Sequence, residues 1–249
     1  AARAAGVPFR GIGVKPRRIR WSTAFVARCL QMLVRNDGYG GVVVAHDDTT
    51  AREVFSQVAK FAWENMPQPR PTKKFSTKRE LQFDDIGSRM EIRACKNRSA
   101  FAGFSVMCAL LDEATRHEDN GGDPAEMLTN IKQTMPPPPA WTCLMMMGTG
   151  QGQRGFMYRE AKKAHENPGA GGWQLAFLPA YRRPNAKRQF ADAAAERAFE
   201  RSLEEEERLL RGKPHECTLE FLHWRRWVLE NEIDGSSESD KRRKRNQEH

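Results

Sequence analysis

No stretch of the chain approaches the roughly 18 uninterrupted apolar residues of a membrane helix, which speaks against a membrane-spanning protein. Residues Ala1 to Arg20 lack the apolar segment of a signal peptide. Cysteine is sparse. The five (Cys29, Cys95, Cys108, Cys143 and Cys217) are an odd number without C-x-x-C spacing, which points to a reducing compartment and away from a disulfide framework or a zinc finger. The six histidines form no H-x-x-x-H pair, and His215 with Cys217 is too small a set for a zinc site. There is no internal repeat, and no acid occurs before residue 37.

What is present is length and positive charge. The 249 residues allow one large domain or two small ones, and 41 Lys+Arg against 32 Asp+Glu leave a net charge of +9. The charge is concentrated at the ends. Arg3, Arg10, Lys15, Arg17, Arg18 and Arg20 crowd the first twenty residues, and Lys241 to Arg245 lie in the tail, so the middle is nearly neutral. A polyanionic partner fits this surplus. The tail DKRRKR reads as disordered, and either a solubilising end or a nucleic-acid contact explains it.

Phe9–Val14 (FRGIGV) reads as a strand, Lys15–Trp21 as a basic loop and Ser22–Asn36 as a helix. In that helix Phe25, Val26, Cys29, Leu30, Leu33 and Val34 fall on one face at spacings of three and four. Gly41–Ala45 is a continuous apolar strand of the kind buried on both faces in a parallel sheet. Asp47, Asp48 and Thr49 are candidate caps for a helix from about Thr50 to Asn65. This β-loop-α-β-α opening predicts an α/β fold.

A Pro/Lys-rich loop follows (Met66–Thr77), then a hairpin from Glu80–Phe83 and Arg89–Ala94. Val106–Leu111 (VMCALL) reads as a buried strand ending in Asp112-Glu113, and Thr142–Met147 as another, with its methionines in the core. Between them Asp123-Pro124-Ala125-Glu126 starts a helix that runs to about Thr134. A glycine-rich turn (Gly148–Gly155), a helix from Phe156, a strand Trp173–Leu178, one charged helix from about Ala193 to Arg211 and a last helix Thr218–Asn231 complete the reading.

Three of these segments carry chemistry together. A strand, a basic loop and a helix opening with Ser-Thr is the setting of a phosphate-binding loop, because a helix N-terminus presents free N–H groups to a polyphosphate. Such loops add a lysine for the phosphates and a hydroxyl for Mg²⁺. Measured against G-x-x-x-x-G-K-[ST], Trp21 stands in the lysine place and Arg20 in the glycine place if Ser22 is the final hydroxyl. Val106–Leu111 with Asp112 and Glu113 has the Walker B pattern: the first acid reaches the metal and the second orients the attacking water. Gly148-Thr149-Gly150-Gln151-Gly152 puts polar residues at a third strand tip, where they can sense a γ-phosphate.

In order and spacing the set resembles the N-terminal ATPase domain of the tailed-bacteriophage large terminase subunit, from about Phe9 to Asn231. Lys15-Pro16-Arg17-Arg18-Ile19-Arg20-Trp21-Ser22-Thr23 fits that family's deviant loop K-x-R-[QR]-x-G-[FYW]-S-T everywhere except Arg20. Val42–Phe55 (VVVAHDDTTAREVF) resembles its second strand and following helix. Leu110–Ala114 (LLDEA) resembles its Walker B, Gly148–Tyr158 its coupling motif, and Leu222–Asn231 (LHWRRWVLEN) its post-core helix.

The resemblance implies an ASCE-type P-loop NTPase fold, with a mostly parallel sheet flanked by helices and a small C-terminal helical lid. It implies a core over 1–179, a lid and linker over 180–235 and a basic tail over 236–249. It implies ATP and Mg²⁺ as cofactors. Lys15, Arg17, Arg18, Arg20, Trp21, Ser22 and Thr23 form the nucleotide loop, with Arg17 or Arg18 acting in cis on the γ-phosphate. Ser22 and Asp112 hold the metal, Glu113 activates water, Arg98 is the candidate trans-acting arginine, and Thr149 with Gln151 couples hydrolysis to movement.

The expected partners are double-stranded DNA, the portal protein and the small terminase subunit, within a pentameric ring docked on the procapsid in the host cytoplasm. No nuclease activity is expected, since the length leaves no room for that domain. Arg20 and the lack of an upstream adenine-contacting glutamine motivate a second reading, a catalytically weak or inactive nucleic-acid-binding or assembly module on the same fold. A helicase-like ATPase of another lineage would share the Walker pair but not AHDDTTAREVF or LHWRRWVLEN.

Overall fold

A computed structural model of the chain describes residues 8–17, 19–77, 79–97, 104–138 and 140–231. The chain divides into two compact units. The first carries 8–14, 20–149 and 153–177, and the second carries Lys15–Ile19, Gly150–Gly152 and 178–231.

The first unit is a mixed α/β domain built on an eight-stranded sheet. Its strands are β1 (Phe9–Val14), β2 (Gly40–Ala45), β3 (Lys73–Ser76), β4 (Glu80–Phe83), β5 (Arg89–Ala94), β6 (Val106–Leu111), β7 (Cys143–Gly148) and β8 (Trp173–Phe177). The order is β3-β4-β5-β2-β6-β7-β1-β8. All neighbours from β5 to β8 pair in parallel, and β4 alone runs antiparallel to its neighbours. The sheet is therefore mostly parallel, as the apolar runs predict.

Helices cover both faces, and strand alternation decides which side chain meets which. Val43 and Ala45 point to the layer of α1 (Trp21–Leu33), α2 (Asp48–Val54) and α3 (Phe61–Glu64), where they meet Val26, Leu30, Leu33, Phe55 and Trp63. Val42 and Val44 point to the layer of α4 (Pro124–Thr134) and α5 (Gly155–Glu166), where they meet Met127, Ile131, Phe156 and Met157. Met145 and Met147 join the first layer and Met146 the second, so the methionine run is sheet core. Each such burial contributes about 1.5–3 kcal/mol.

Several expectations need correction. The helix anticipated over Thr50–Asn65 starts at Asp48, capped by Asp47, and runs from α2 through a π-helical turn (Phe55–Lys60) into α3. The loop Met66–Thr77 holds β3, an edge strand whose Lys73 and Lys74 hid it from an apolar pattern; charge on an edge strand discourages pairing with other chains. Cys29 and Cys108 are joined by a disulfide, contrary to the reading of the cysteine spacing. They lie 79 residues apart, and only the packing of α1 on the sheet brings their Cα atoms to 6.1 Å. The other three cysteines are free and buried.

The second unit is helical: α6 (Ala193–Arg201), α7 (Glu205–Arg211) and α8 (Leu219–Asn231) follow a strap that ends in no strand. One charged helix was expected from Ala193 to Arg211. Instead Leu203 turns into the core with Ala180, Ala186, Cys217, Leu219, Phe221 and Leu222, which breaks the helix. The Glu204–Glu207 pair then forms a capping box that starts α7. Glu207, although it lies in the acidic run Glu204–Glu207, is buried and paired with Arg226 at 2.5 Å. No helix among the described residues is long and apolar enough to cross a membrane.

Candidate functional site

The register of three parallel neighbours builds the site. Val14 of β1 pairs with Gly148 of β7, and Leu111 of β6 pairs with Met146. The carboxyl ends of β6, β7 and β1 are thus level at one edge of the sheet. Asp112-Glu113 leaves β6 there, and Thr149 leaves β7. In open α/β sheets this edge is where ligands bind.

The helix α1 opens at the same edge. Its N-cap residue, Arg20, has φ 59° and ψ 23°, the left-handed conformation that glycine adopts without cost. The glycine of the expected motif is replaced, but its backbone turn is kept. No side chain caps the helix and its first turn carries no acid, so its leading N–H groups are open to an anion. Ser22, in that first turn, donates its hydroxyl to Asp112 Oδ1 at 2.5 Å. This bond joins the loop helix to the end of β6 across 90 residues of sequence.

Asp112 is buried, its N–H bonded to Val44 O at 2.8 Å. Glu113, half-buried, also takes a left-handed backbone (φ 49°, ψ 44°), which ends the strand and turns the chain away. Its carboxylate accepts from the Thr149 N–H at 3.4 Å. Thr149 is itself buried, and its hydroxyl has no hydrogen-bond partner among the described residues. A hydroxyl desolvated without a partner costs stability, so such groups are exceptions that point to a role.

The remaining predicted residues are placed as follows. Lys15 directly follows β1 and is buried at 6% exposure, and Arg17 is exposed. Thr23 is exposed on α1. Trp21 folds back onto β1: a Cβ at Gly13 would come within 3.2 Å of its ring, so the glycine makes room for it, and the indole packs into the apolar layer. Gln151 is half-buried in the loop after β7. Arg18 and Arg98 lie outside the described residues, as does the basic tail.

Sequence reasoning missed two residues, both in the turn after Glu113. His117 is fully buried, and its Nε2 meets the Asp112 carbonyl at 2.9 Å. A carbonyl only accepts, so Nε2 carries the proton. Burial pushes the His117 pKa down to about 4, against the opposing hydrogen bond to Asp112, and keeps the ring neutral. Glu118 reaches α5, where its Oε2 accepts from the Phe156 N–H at 2.9 Å and supplies the cap that Arg154 does not. A Cβ on Gly148 would lie 3.0 Å from Thr115, a second close approach between this turn and the end of β7. No motif pattern flags His117 or Glu118, because their partners are backbone groups distant in sequence.

The donor set suits a hard cation. A hydroxyl and a carboxylate oxygen lie side by side, and Mg²⁺ is held through few protein oxygens, with phosphates and water completing its shell. Among the described residues no group of three or more His, Cys, Asp or Glu side chains gathers as a metal site.

No protein-family model and no curated protein sequence matches the chain. Solved structures do. The chain superposes on the large terminase of bacteriophage HK97 with TM-score 0.54 at 16% identity, covering 86% of this chain and 46% of that one. It superposes on a Thermus phage large terminase ATPase domain with TM-score 0.52 at 15% identity, covering 69% and 76%. A third match is the large terminase of a thermophilic bacteriophage in complex with ADP, with TM-score 0.52 at 9% identity, covering 79% and 45%. The fold is therefore that of the phage large terminase ATPase domains. The chain spans about half the length of the HK97 and thermophilic-bacteriophage large terminase chains it matches.

Proposed function

We propose that the chain is the ATPase motor domain of a viral large terminase, hydrolysing ATP to drive double-stranded DNA into procapsids. The observation that carries this reading is the Ser22–Asp112 hydrogen bond, which joins an uncapped helix N-terminus to the end of a buried strand within a terminase-like fold. Lys15, Arg17, Arg18 and the first amides of α1 hold the β- and γ-phosphates. Ser22 and Asp112 are the oxygen ligands for Mg²⁺, which when bound supplies charge neutralisation on the phosphates. Glu113 accepts the proton of the attacking water, and its contact with the Thr149 N–H makes the β7 tip responsive to that event. Phosphoryl transfer needs mainly positioning and charge neutralisation, so these few groups suffice.

ATP binding is supported by the ADP complex of a structural neighbour. A trans-acting arginine at Arg98, coupling through Gln151, the portal protein and small terminase subunit as partners, assembly as a pentameric ring on the procapsid in the host cytoplasm, and a lid role for the helical unit all belong to the same proposal. The test is ATP hydrolysis by the purified chain, with and without duplex DNA and portal protein. Glu113→Ala should retain ATP binding and lose at least about a hundredfold in turnover, the usual contribution of a positioned general base. Unchanged turnover would sink the assignment.

The arginine side chain at position 20, where the family's loop has glycine, motivates a second reading, a catalytically weak or inactive nucleic-acid-binding or assembly module on the same fold. Zero hydrolysis under every condition, with DNA binding retained, would select it.

A further inference from the structure

The strap that opens the helical unit, Tyr181–Arg188, carries Arg182, Arg183, Lys187 and Arg188, and no acid occurs from Leu178 to Ala191. Three other arginines of the unit pair with acids: Arg225 with Glu206 at 2.9 Å, Arg226 with Glu207, Arg211 with Glu200 at 3.8 Å. None of the four strap cations forms an ion pair with a described residue. Lys187 acts on the Glu220 carboxylate at longer range: the Glu220 pKa is lowered first by its own backbone N–H and by Thr218, with Lys187 a lesser cause.

The strap is held rather than loose. Ala180 and Ala186 are buried in the unit's core, and the Arg188 N–H bonds to Glu220 O at 3.0 Å. The three arginines lie over aromatic rings: Arg182 over Tyr181 at 5.9 Å, Arg183 over Trp224 at 5.5 Å and Arg188 over Trp227 at 5.7 Å. Stacking limits rotamer freedom and leaves the guanidinium edges, with their fork of N–H donors, facing outward. Arg182, Lys187 and Arg188 are exposed.

Exposed, pre-ordered and uncompensated cations of this kind match an array of phosphates. We infer that the strap Arg182–Arg188 is a docking surface for the phosphate backbone of duplex DNA. The choice of duplex over single strand follows from the aromatics. The rings that could stack on bases are covered, Trp224 and Trp227 by arginines, and Phe190 by His223 in parallel at 4.4 Å. Backbone contacts of this type carry no sequence information. The inference rests on the DNA partner proposed above and names the face that meets it.

The test is a fluorescence-anisotropy titration of the full chain with a labelled mixed-sequence duplex, repeated across a range of KCl concentrations. The variant Arg182→Gln/Arg183→Gln/Lys187→Gln/Arg188→Gln should lower affinity by more than about tenfold. It should flatten the slope of log affinity against log salt by about 3 to 4, the counterion release expected for four lost phosphate contacts. A control, Lys162→Gln/Lys163→Gln on α5, should leave both unchanged. An unaltered slope in the four-site variant, or tighter binding of single-stranded than of duplex DNA, would overturn the inference. Thermal melting of the variants by circular dichroism separates lost contact from lost fold. Loss of duplex affinity in a chain without ATP turnover refutes the motor alone; normal turnover with undiminished duplex affinity refutes the strap alone.

Discussion

The Glu113 carboxylate accepts a hydrogen bond from the Thr149 N–H at 3.4 Å, across 36 residues of sequence. One residue directly follows β6 and the other directly follows β7, so the bond links two adjacent strand tips. The turn that follows Glu113 repeats the link twice more, through Thr115 against Gly148 and Glu118 on the first turn of α5. Three independent contacts thus tie the end of β6 to the loop and helix after β7.

Thr149→Val tests the role of the unpartnered hydroxyl. Replacing a buried hydroxyl that makes no hydrogen bond removes a desolvation cost of about 1–3 kcal/mol, so the variant should melt at the same temperature or higher. If the hydroxyl couples hydrolysis to DNA, basal ATP turnover persists and its stimulation by duplex DNA disappears, while Thr149→Ser retains it. A Val variant with full stimulation rules out the coupling role.

Arg20 sits in the left-handed region at a cost of about 1 kcal/mol relative to glycine. Arg20→Gly should raise the unfolding free energy from denaturant titration by that order, and with it the midpoint, and Arg20→Ala, which keeps the strain, should not. Equal midpoints for the two variants would show that the backbone stores no strain there.

His117 makes the turn after Glu113 sensitive to acid. Its folded pKa of about 4 lies below the ordinary 6.5, so between these values the unfolded chain binds more protons and stability falls as pH is lowered. The loss amounts to about 3 kcal/mol on completion, at 1.36 kcal/mol per unit. Above pH 6.5 the group contributes no slope. Urea denaturation from pH 7.5 to 4.5 should show this decline in the native chain and a shallower one in His117→Gln. Parallel curves would remove His117 as its source.

Strands with unbroken apolar runs were legible because burial on both faces leaves no other composition. Val42, Val43 and Val44 could be read as parallel-sheet core without knowing their neighbours. Asp123-Pro124 announced α4 because capping is local chemistry, and the Asp123 carboxylate does accept from Ala125 and Glu126 N–H groups at 3.0 Å. β3 was not legible, since Lys73 and Lys74 obey the needs of an edge rather than a core. The break at Leu203 was hidden because the residue's helical propensity is high and only its burial in a distant core opposes it.

The candidate site divides along the same line. Residue types and spacing determined the α/β class, the basic loop before α1, the acids after β6 and the polar tip after β7, all of which express short-range periodicity and turn chemistry. Only the tertiary structure decided that Ser22 meets Asp112, that Glu113 meets Thr149, that Cys29 meets Cys108 and that Arg20 keeps a glycine's backbone. It also brought His117 and Glu118 into the site. Those relations depend on strand order and register, which place residues 36 to 90 positions apart at one edge of the sheet. A one-dimensional pattern carries the identity of each partner but not the crossover that aligns them.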